Sequence, residues 1–199
     1  HGNKASSSKC GSADVLKLLG VNIDANTKIV EECIQKANIG FLMAPLLHSS
    51  MKHAVGPRRE IGIKTIFNIL GPLTNPARAT RQVIGVYDAK LTDIVAKVLK
   101  KLNTEHAFVV YGYDGMDEIT TTDKTKVCEL KDGEIKSYFI THDSFGIKKA
   151  EMKDFMVNSP EESASAITAV LDGAIGPKRD IVLLNASAAI VTGGGVGNL

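Results

Sequence analysis

Gln82-Val-Ile-Gly-Val-Tyr87, then the amphipathic stretch 91–102, then His106-Ala-Phe-Val-Val-Tyr111: this passage decides the fold of the chain. The two apolar, β-branched runs read as buried strands, and the helical periodicity between them supplies the crossover that joins parallel neighbours. The alternation continues outward in both directions. Residues 41–44 and Ile181-Val-Leu-Leu-Asn185 read as further buried strands, and 28–37 and 161–171 as amphipathic helices. The expected class is α/β, a mostly parallel central sheet flanked by helices. One passage departs from the pattern. Residues 126–130 and 134–140 flank Lys131-Asp-Gly133, a hairpin signal, which predicts an antiparallel addition at a sheet edge.

The composition bounds the function classes. With 199 residues, 44% of them hydrophobic and 23% charged, the chain can bury one sizeable core, and a single α/β domain over 1–199 is expected. No apolar run approaches the roughly 18 residues of a membrane helix and no signal-peptide pattern is present, so no membrane partner is expected. A formal net charge of +2 argues against a nucleic-acid partner. Cys10, Cys33 and Cys128 are odd in number, widely spaced and without metal-ligand spacing, which points to reduced, cytosolic thiols.

Two stretches carry chemistry. His48-Ser-Ser-Met-Lys-His-Ala-Val-Gly-Pro-Arg-Arg-Glu-Ile-Gly-Ile-Lys-Thr-Ile-Phe-Asn-Ile-Leu-Gly-Pro-Leu-Thr-Asn-Pro76 sets Lys52, Arg58, Arg59 and Lys64 against one acid, Glu60, between stiff Gly-Pro and Asn-Pro turns. Basic side chains so held suit a carboxylate or phosphate. The opening, His1-Gly-Asn-Lys-Ala-Ser-Ser-Ser-Lys-Cys-Gly-Ser-Ala-Asp14, has the small residues and hydroxyls of a phosphate cradle. A helix through Val15, Leu16, Leu18 and Leu19 is expected behind it, capped by Ser12, closed by Gly20 and with its N-terminus facing the cradle.

Asp114-Gly-Met-Asp-Glu118 directly follows the strand ending at Tyr111, where ligands of open parallel sheets collect. Two adjacent acids read first as a solvated loop. A loop can also turn both towards one cation, which a strand would prevent, and magnesium suits that donor set. Asp114, with Gly115 behind it, reads as a turn former. The Arg58 guanidinium could grip a carboxylate and stack on a ring. Arg59 offers the same chemistry, and a surface charge is the usual fate of either. His48 reads as a histidine at the head of a helix, and Gly71-Pro72 as a stiff turn after an apolar helix.

Together these segments resemble the anthranilate phosphoribosyltransferase family of tryptophan biosynthesis. The resemblance rests on His1-Gly-Asn3, Ser7-Ser-Lys-Cys-Gly-Ser-Ala-Asp14, the 48–76 stretch, Asp114-Gly-Met-Asp-Glu118 and Arg179-Asp-Ile-Val-Leu-Leu-Asn-Ala186, in order and at the family's approximate spacing. It implies the large domain of a nucleoside phosphorylase/phosphoribosyltransferase-like fold and transfer of the phosphoribosyl group of phosphoribosyl pyrophosphate to anthranilate. Phosphoribosyl pyrophosphate would be bound by His1, Gly2, Asn3, Lys4, Ala5, Ser6, Ser7, Ser8 and Ser12. Anthranilate would be met by Asn3, His48, Arg58, Gly71 and Pro72, making 48–76 a substrate-binding and hinge stretch. Asp117 and Glu118 would hold Mg2+, and no covalent nucleophile is implied.

The resemblance also implies a homodimeric, cytoplasmic enzyme. Cys10 and Lys4 depart from it, standing where many members carry serine and arginine. Members begin with a small helical domain and a Gly-Thr-Gly-Gly-Asp phosphate loop. The chain is therefore expected to be an internal fragment, incomplete at both ends, whose activity in isolation is a separate matter. Two rival readings share the fold: a pyrimidine nucleoside phosphorylase, and a non-catalytic nucleic-acid-binding relative.

Overall fold

The computed structural model describes Gly2, residues 11–47, Gly56, Glu60, residues 65–197 and Leu199. The chain forms two compact units, residues 1–76 with 157–169, and residues 77–156 with 170–199.

In the first unit α1 (Ser12–Leu18), α2 (Thr27–Ala37), α3 (Ala44–Leu47) and α4 (Phe67–Leu73) are short helices. Ala13, Ile23 and Met43 form a small core with Leu16 and Phe41 packed on it. Ser12 is the first helical residue of α1 rather than its cap. That place belongs to Gly11, whose N–H donates to Asp14 Oδ2 at 3.2 Å, so the acid three residues on closes the helix start. Gly20, at φ +88°, follows its end as expected. Asn26 caps α2, its Oδ1 accepting the Ile29 N–H at 3.0 Å.

The strand expected at 41–44 is reduced to one parallel bridge between Gly2 and Met43. Gly2 donates to the Leu42 carbonyl (3.0 Å) and accepts from the Ala44 N–H (2.8 Å). The chain then enters α3, where the fixed φ of Pro45 suits a first helical turn. Gly71 and Pro72 lie inside α4 instead of forming a turn after it. Pro72 has no N–H to offer the Asn68 carbonyl, and the helix ends one residue later, where the Thr74 hydroxyl donates to the Leu70 carbonyl at 2.8 Å.

The second unit is built on a four-stranded sheet of β1 (Arg81–Gly85), β2 (His106–Gly112), β3 (Thr125–Lys131) and β4 (Glu134–Ile140), in that spatial order. β1 and β2 are parallel, Arg81 opposite His106, and are joined through α5 (Ala89–Lys101), as the deciding stretch predicts. β3 and β4 add antiparallel. Asp132 (φ 50°) and Gly133 (φ 79°) both turn left-handed, the geometry that matches the twist of a two-residue hairpin. Two 3₁₀ turns, His142–Phe145 and Met152–Asp154, lead to α6 (Pro160–Leu171), which crosses the division between units, and to α7 (Pro177–Gly193).

β2 is buried on both faces. Phe108 and Val110 meet Leu184, Ala188 and Val191 of α7, while Ala107 and Val109 face the other way, where α5 packs on β2 and β3. The expected strand Ile181–Asn185 is thus the middle of α7. A five-residue apolar run fits a buried helix as well as a strand. Here the flanks decide, since Pro177 opens a helix and Ile181, Leu184, Ala188 and Val191 recur at helical spacing. No helix among the described residues is long and apolar enough to cross a membrane.

Candidate active site

The loop from β2 to β3 carries the acidic pair, and the strand ends are shaped to receive it. Asp114 organises the first half. Its Oδ1 accepts the Met116 N–H at 3.0 Å, closing a turn over Gly115 (φ +96°), and its Oδ2 accepts from the hydroxyls of Thr120 and Thr122. Thr122 N–H donates to Thr120 Oγ1, and Thr120 N–H to Thr125 Oγ1, each at 3.0 Å, so the return path is tied to the start of β3. Asp114 is the turn former expected, and the threonines make it the hub of the whole loop.

Two glycines let the loop lie on the strand ends. A Cβ on Gly85, the last residue of β1, would stand 1.5 Å from the Asp117 carbonyl oxygen, an impossible approach. A Cβ on Gly112 would meet Asp114 Oδ1 at 2.6 Å. At the far end of the loop the Asn185 amide of α7 accepts the Ile119 N–H (3.0 Å) and donates to the Ile119 carbonyl (2.8 Å). None of these three supports is picked out as functional by the sequence reading. Gly85 inside a strand pattern is a known sign of close backbone approach, whereas Asn185 lies in a segment whose apolar run suggests a strand and whose motif carries the family resemblance, neither of which marks the asparagine.

Asp117 and Glu118 are exposed, and neither carboxylate has a hydrogen-bond or ion-pair partner among the described residues. Glu118 keeps solvent access, yet desolvation by the surrounding protein lifts its carboxyl above the ordinary range, and the charges of Asp117 and Asp114 push the same way. Two adjacent, unpartnered carboxylates in mutual repulsion are relieved by a cation. No group of three or more His, Cys, Asp or Glu that could hold a metal occurs among the described residues. Such a pair fits the needs of Mg2+, which takes one or two carboxylates and leaves positions for water and phosphate.

In the other unit the structure brings Gly2 and Ser12 together. A Cβ on Gly2 would lie 3.1 Å from Ser12 Oγ and 3.0 Å from the Phe41 ring, so glycine is what lets the first segment approach α1. Gly71 and Pro72 are half-buried in α4. His1, Asn3, Lys4, Ala5, Ser6, Ser7, Ser8, His48 and Arg58 lie outside the described residues.

The sequence matches the glycosyl transferase family, a/b domain, over residues 1–199. It is 53% identical over 193 residues to an anthranilate phosphoribosyltransferase of Acetivibrio thermocellus, covering 97% of this chain and 56% of that protein. It is 52% identical over 199 residues to one of Alkaliphilus metalliredigens, covering 100% and 59%. Among solved structures it is similar to anthranilate phosphoribosyltransferase from Thermus thermophilus, with a TM-score of 0.90, 37% identity, and 98% and 58% of the two chains covered. The Saccharomyces cerevisiae enzyme in complex with PRPP and Mg superposes with a TM-score of 0.88 at 29% identity, covering 100% and 56%. The same yeast enzyme with 4-fluoroanthranilate gives 0.84 at 27% identity, covering 98% and 56%. The chain spans just under three fifths of the length of the relatives it matches. It belongs to the glycosyl transferase family, as sequence of its a/b domain, and the relatives it resembles are anthranilate phosphoribosyltransferases.

Proposed function

We propose that the chain forms the larger part of an anthranilate phosphoribosyltransferase. That enzyme joins the amine of anthranilate to the anomeric carbon of phosphoribosyl pyrophosphate and releases pyrophosphate. The observation that carries the reading is the 53% identity to a relative of that name, spread over 97% of the chain.

In this reading Asp117 and Glu118 hold Mg2+, which supplies charge neutralisation to the departing pyrophosphate. The remaining work is positioning, because a loosely bonded, oxocarbenium-like transition state needs little acid–base help once the leaving group is stabilised. The segment of Gly2 and Ser12 contributes hydroxyl and backbone donors to the phosphates, together with His1, Asn3, Lys4, Ala5, Ser6, Ser7 and Ser8. Arg58 holds the anthranilate carboxylate, with Asn3, His48, Gly71 and Pro72 shaping the approach of the ring. The complete enzyme is a homodimer working in the cytoplasm, where the free thiols Cys33 and Cys128 stay reduced.

Loss of anthranilate fluorescence in the full-length protein with phosphoribosyl pyrophosphate and Mg2+ tests the activity. Turnover is expected. Arg58→Ala should raise KM for anthranilate by about 10- to 100-fold, the weight of a lost charged contact. Removing Asp117 and Glu118 should instead depress kcat and shift the Mg2+ requirement upward. A folded protein with no turnover would overturn the proposal.

A further inference from the structure

We propose that Asn185 is a positioning residue for the cation site: its side-chain amide clamps the backbone of Ile119 and so fixes where Asp117 and Glu118 present their carboxylates. The inference deepens the reading of Asp117 and Glu118 as a cation-binding pair and rests on it.

The geometry is specific. Asn185 Oδ1 accepts the Ile119 N–H at 3.0 Å, and Nδ2 donates to the Ile119 carbonyl at 2.8 Å and to the Ile181 carbonyl of its own helix at 3.0 Å. Both amide hydrogens and the oxygen are in use, and a flipped amide would set NH2 against N–H, so one orientation is imposed. Ile119 is 0% exposed, so the clamp holds backbone groups that solvent does not reach in the folded chain. Without Asn185 a buried donor and a buried acceptor are orphaned next to Glu118.

The clamp also complements the other supports. Asp114 and its threonines tie the loop to itself and to β3, and Gly85 merely permits the Asp117 backbone to come close. Asn185 alone among these reaches the acid pair from α7, an element anchored along the core by Ile181, Leu184, Ala188 and Val191. It reads only main-chain atoms, so it sets the path of the loop and leaves its side chains free to act. Carboxylates without a partner of their own depend on such supports, and loss of a group that orients metal ligands typically costs about 10- to 100-fold in metal affinity.

The test uses the full-length protein with Mn2+ as a paramagnetic stand-in for Mg2+, free Mn2+ being followed by electron paramagnetic resonance in the presence of phosphoribosyl pyrophosphate. Asn185→Ala should weaken Mn2+ binding by about 10- to 100-fold while the protein stays folded below its melting temperature. Asn185→Asp keeps the acceptor for the Ile119 N–H but turns an oxygen towards the carbonyls of Ile119 and Ile181, so it should weaken Mn2+ binding as well. Leu99→Ala removes a fully buried side chain from α5, on the face of the sheet away from α7 and outside the core cluster that holds Ile119, so it should lower the melting temperature and leave Mn2+ affinity unchanged.

Mn2+ affinity within twofold of wild type in folded Asn185→Ala overturns the inference. So does an equal loss of affinity in Leu99→Ala, and so does a failure of both replacements at 185 to fold, since Asn185 would then be holding the fold and not the loop. Unchanged Mn2+ binding in Asp117→Ala with Glu118→Ala is a different result, and it sinks the cation-pair reading itself.

Discussion

Asp93, on α5, is a small electrostatic anchor on the face of the sheet opposite α7. The Lys126 ammonium bonds it, the Ser137 hydroxyl donates to Oδ1 at 2.9 Å and the Cys128 thiol lies 3.7 Å away. The hydrogen bond from Lys126 is the largest cause holding its carboxyl at about 2, against an ordinary 3.8. The folded value lies below the unfolded one, so the group contributes stability that is complete above about pH 4 and is lost as pH falls through about 2. Asp93→Asn should therefore lower the stability read from a urea titration at pH 7 by about 1 kcal/mol or less for a partly exposed pair, and by almost nothing near pH 2. A difference independent of pH would assign the effect to packing. The residues of this anchor come from α5, β3 and β4, and no local pattern announces them. Asp117 and Glu118 could be singled out as candidates because two acids and a glycine sit together in sequence. Their supports Gly85 and Asn185 lie 32 and 67 positions from Asp117 and Glu118 respectively, and only the folded chain brings them near.

At the scale of elements, what was legible is what local chemistry determines. The hairpin is the clearest case, since Asp-Gly between alternating runs specifies two successive left-handed residues, and β3 and β4 follow with Lys131 opposite Glu134. Gly133→Ala places a Cβ at φ 79° with open space around it, so the cost is conformational and should be about 1 kcal/mol in a urea titration. A loss several times larger would mean that the strands had changed register. β1, α5 and β2 were equally plain. Ile181-Val-Leu-Leu-Asn185 was not, because five apolar residues carry no period of their own. The strand expected at 41–44 was curtailed because Pro45 starts a helix. Ser12 lost the cap of α1 to Gly11, since Asp14 can satisfy the glycine N–H from inside the helix.

Among the described residues, burial is densest in the unit of residues 77–156 and 170–199. Ala107, Phe108, Val109 and Val110 of β2 are at most 1% exposed, whereas the core cluster described in the other unit consists of Ala13, Ile23 and Met43 with Leu16 and Phe41 packed against it. Stability should be uneven in proportion. Native-state hydrogen exchange is expected to be slowest for the amides of β2 and much faster in α1 and α2, and equal protection in both would refute a division of stability between the units. The fold class was open to reading because it follows from the order of strands and helices. The division into units was not, since composition bounds a core without saying how many.

The two described thiols belong to different units. Cys33 is exposed on α2, while Cys128 is fully buried in β3, its thiol pushed up first by burial and further by the nearby Asp93 charge. A thiolate is the form that reacts, so Cys128 is doubly silent in the native state. A thiol-directed reagent added in pulses would mark Cys33 at once and Cys128 only when the sheet opens, giving the chain an internal clock for the opening of that sheet.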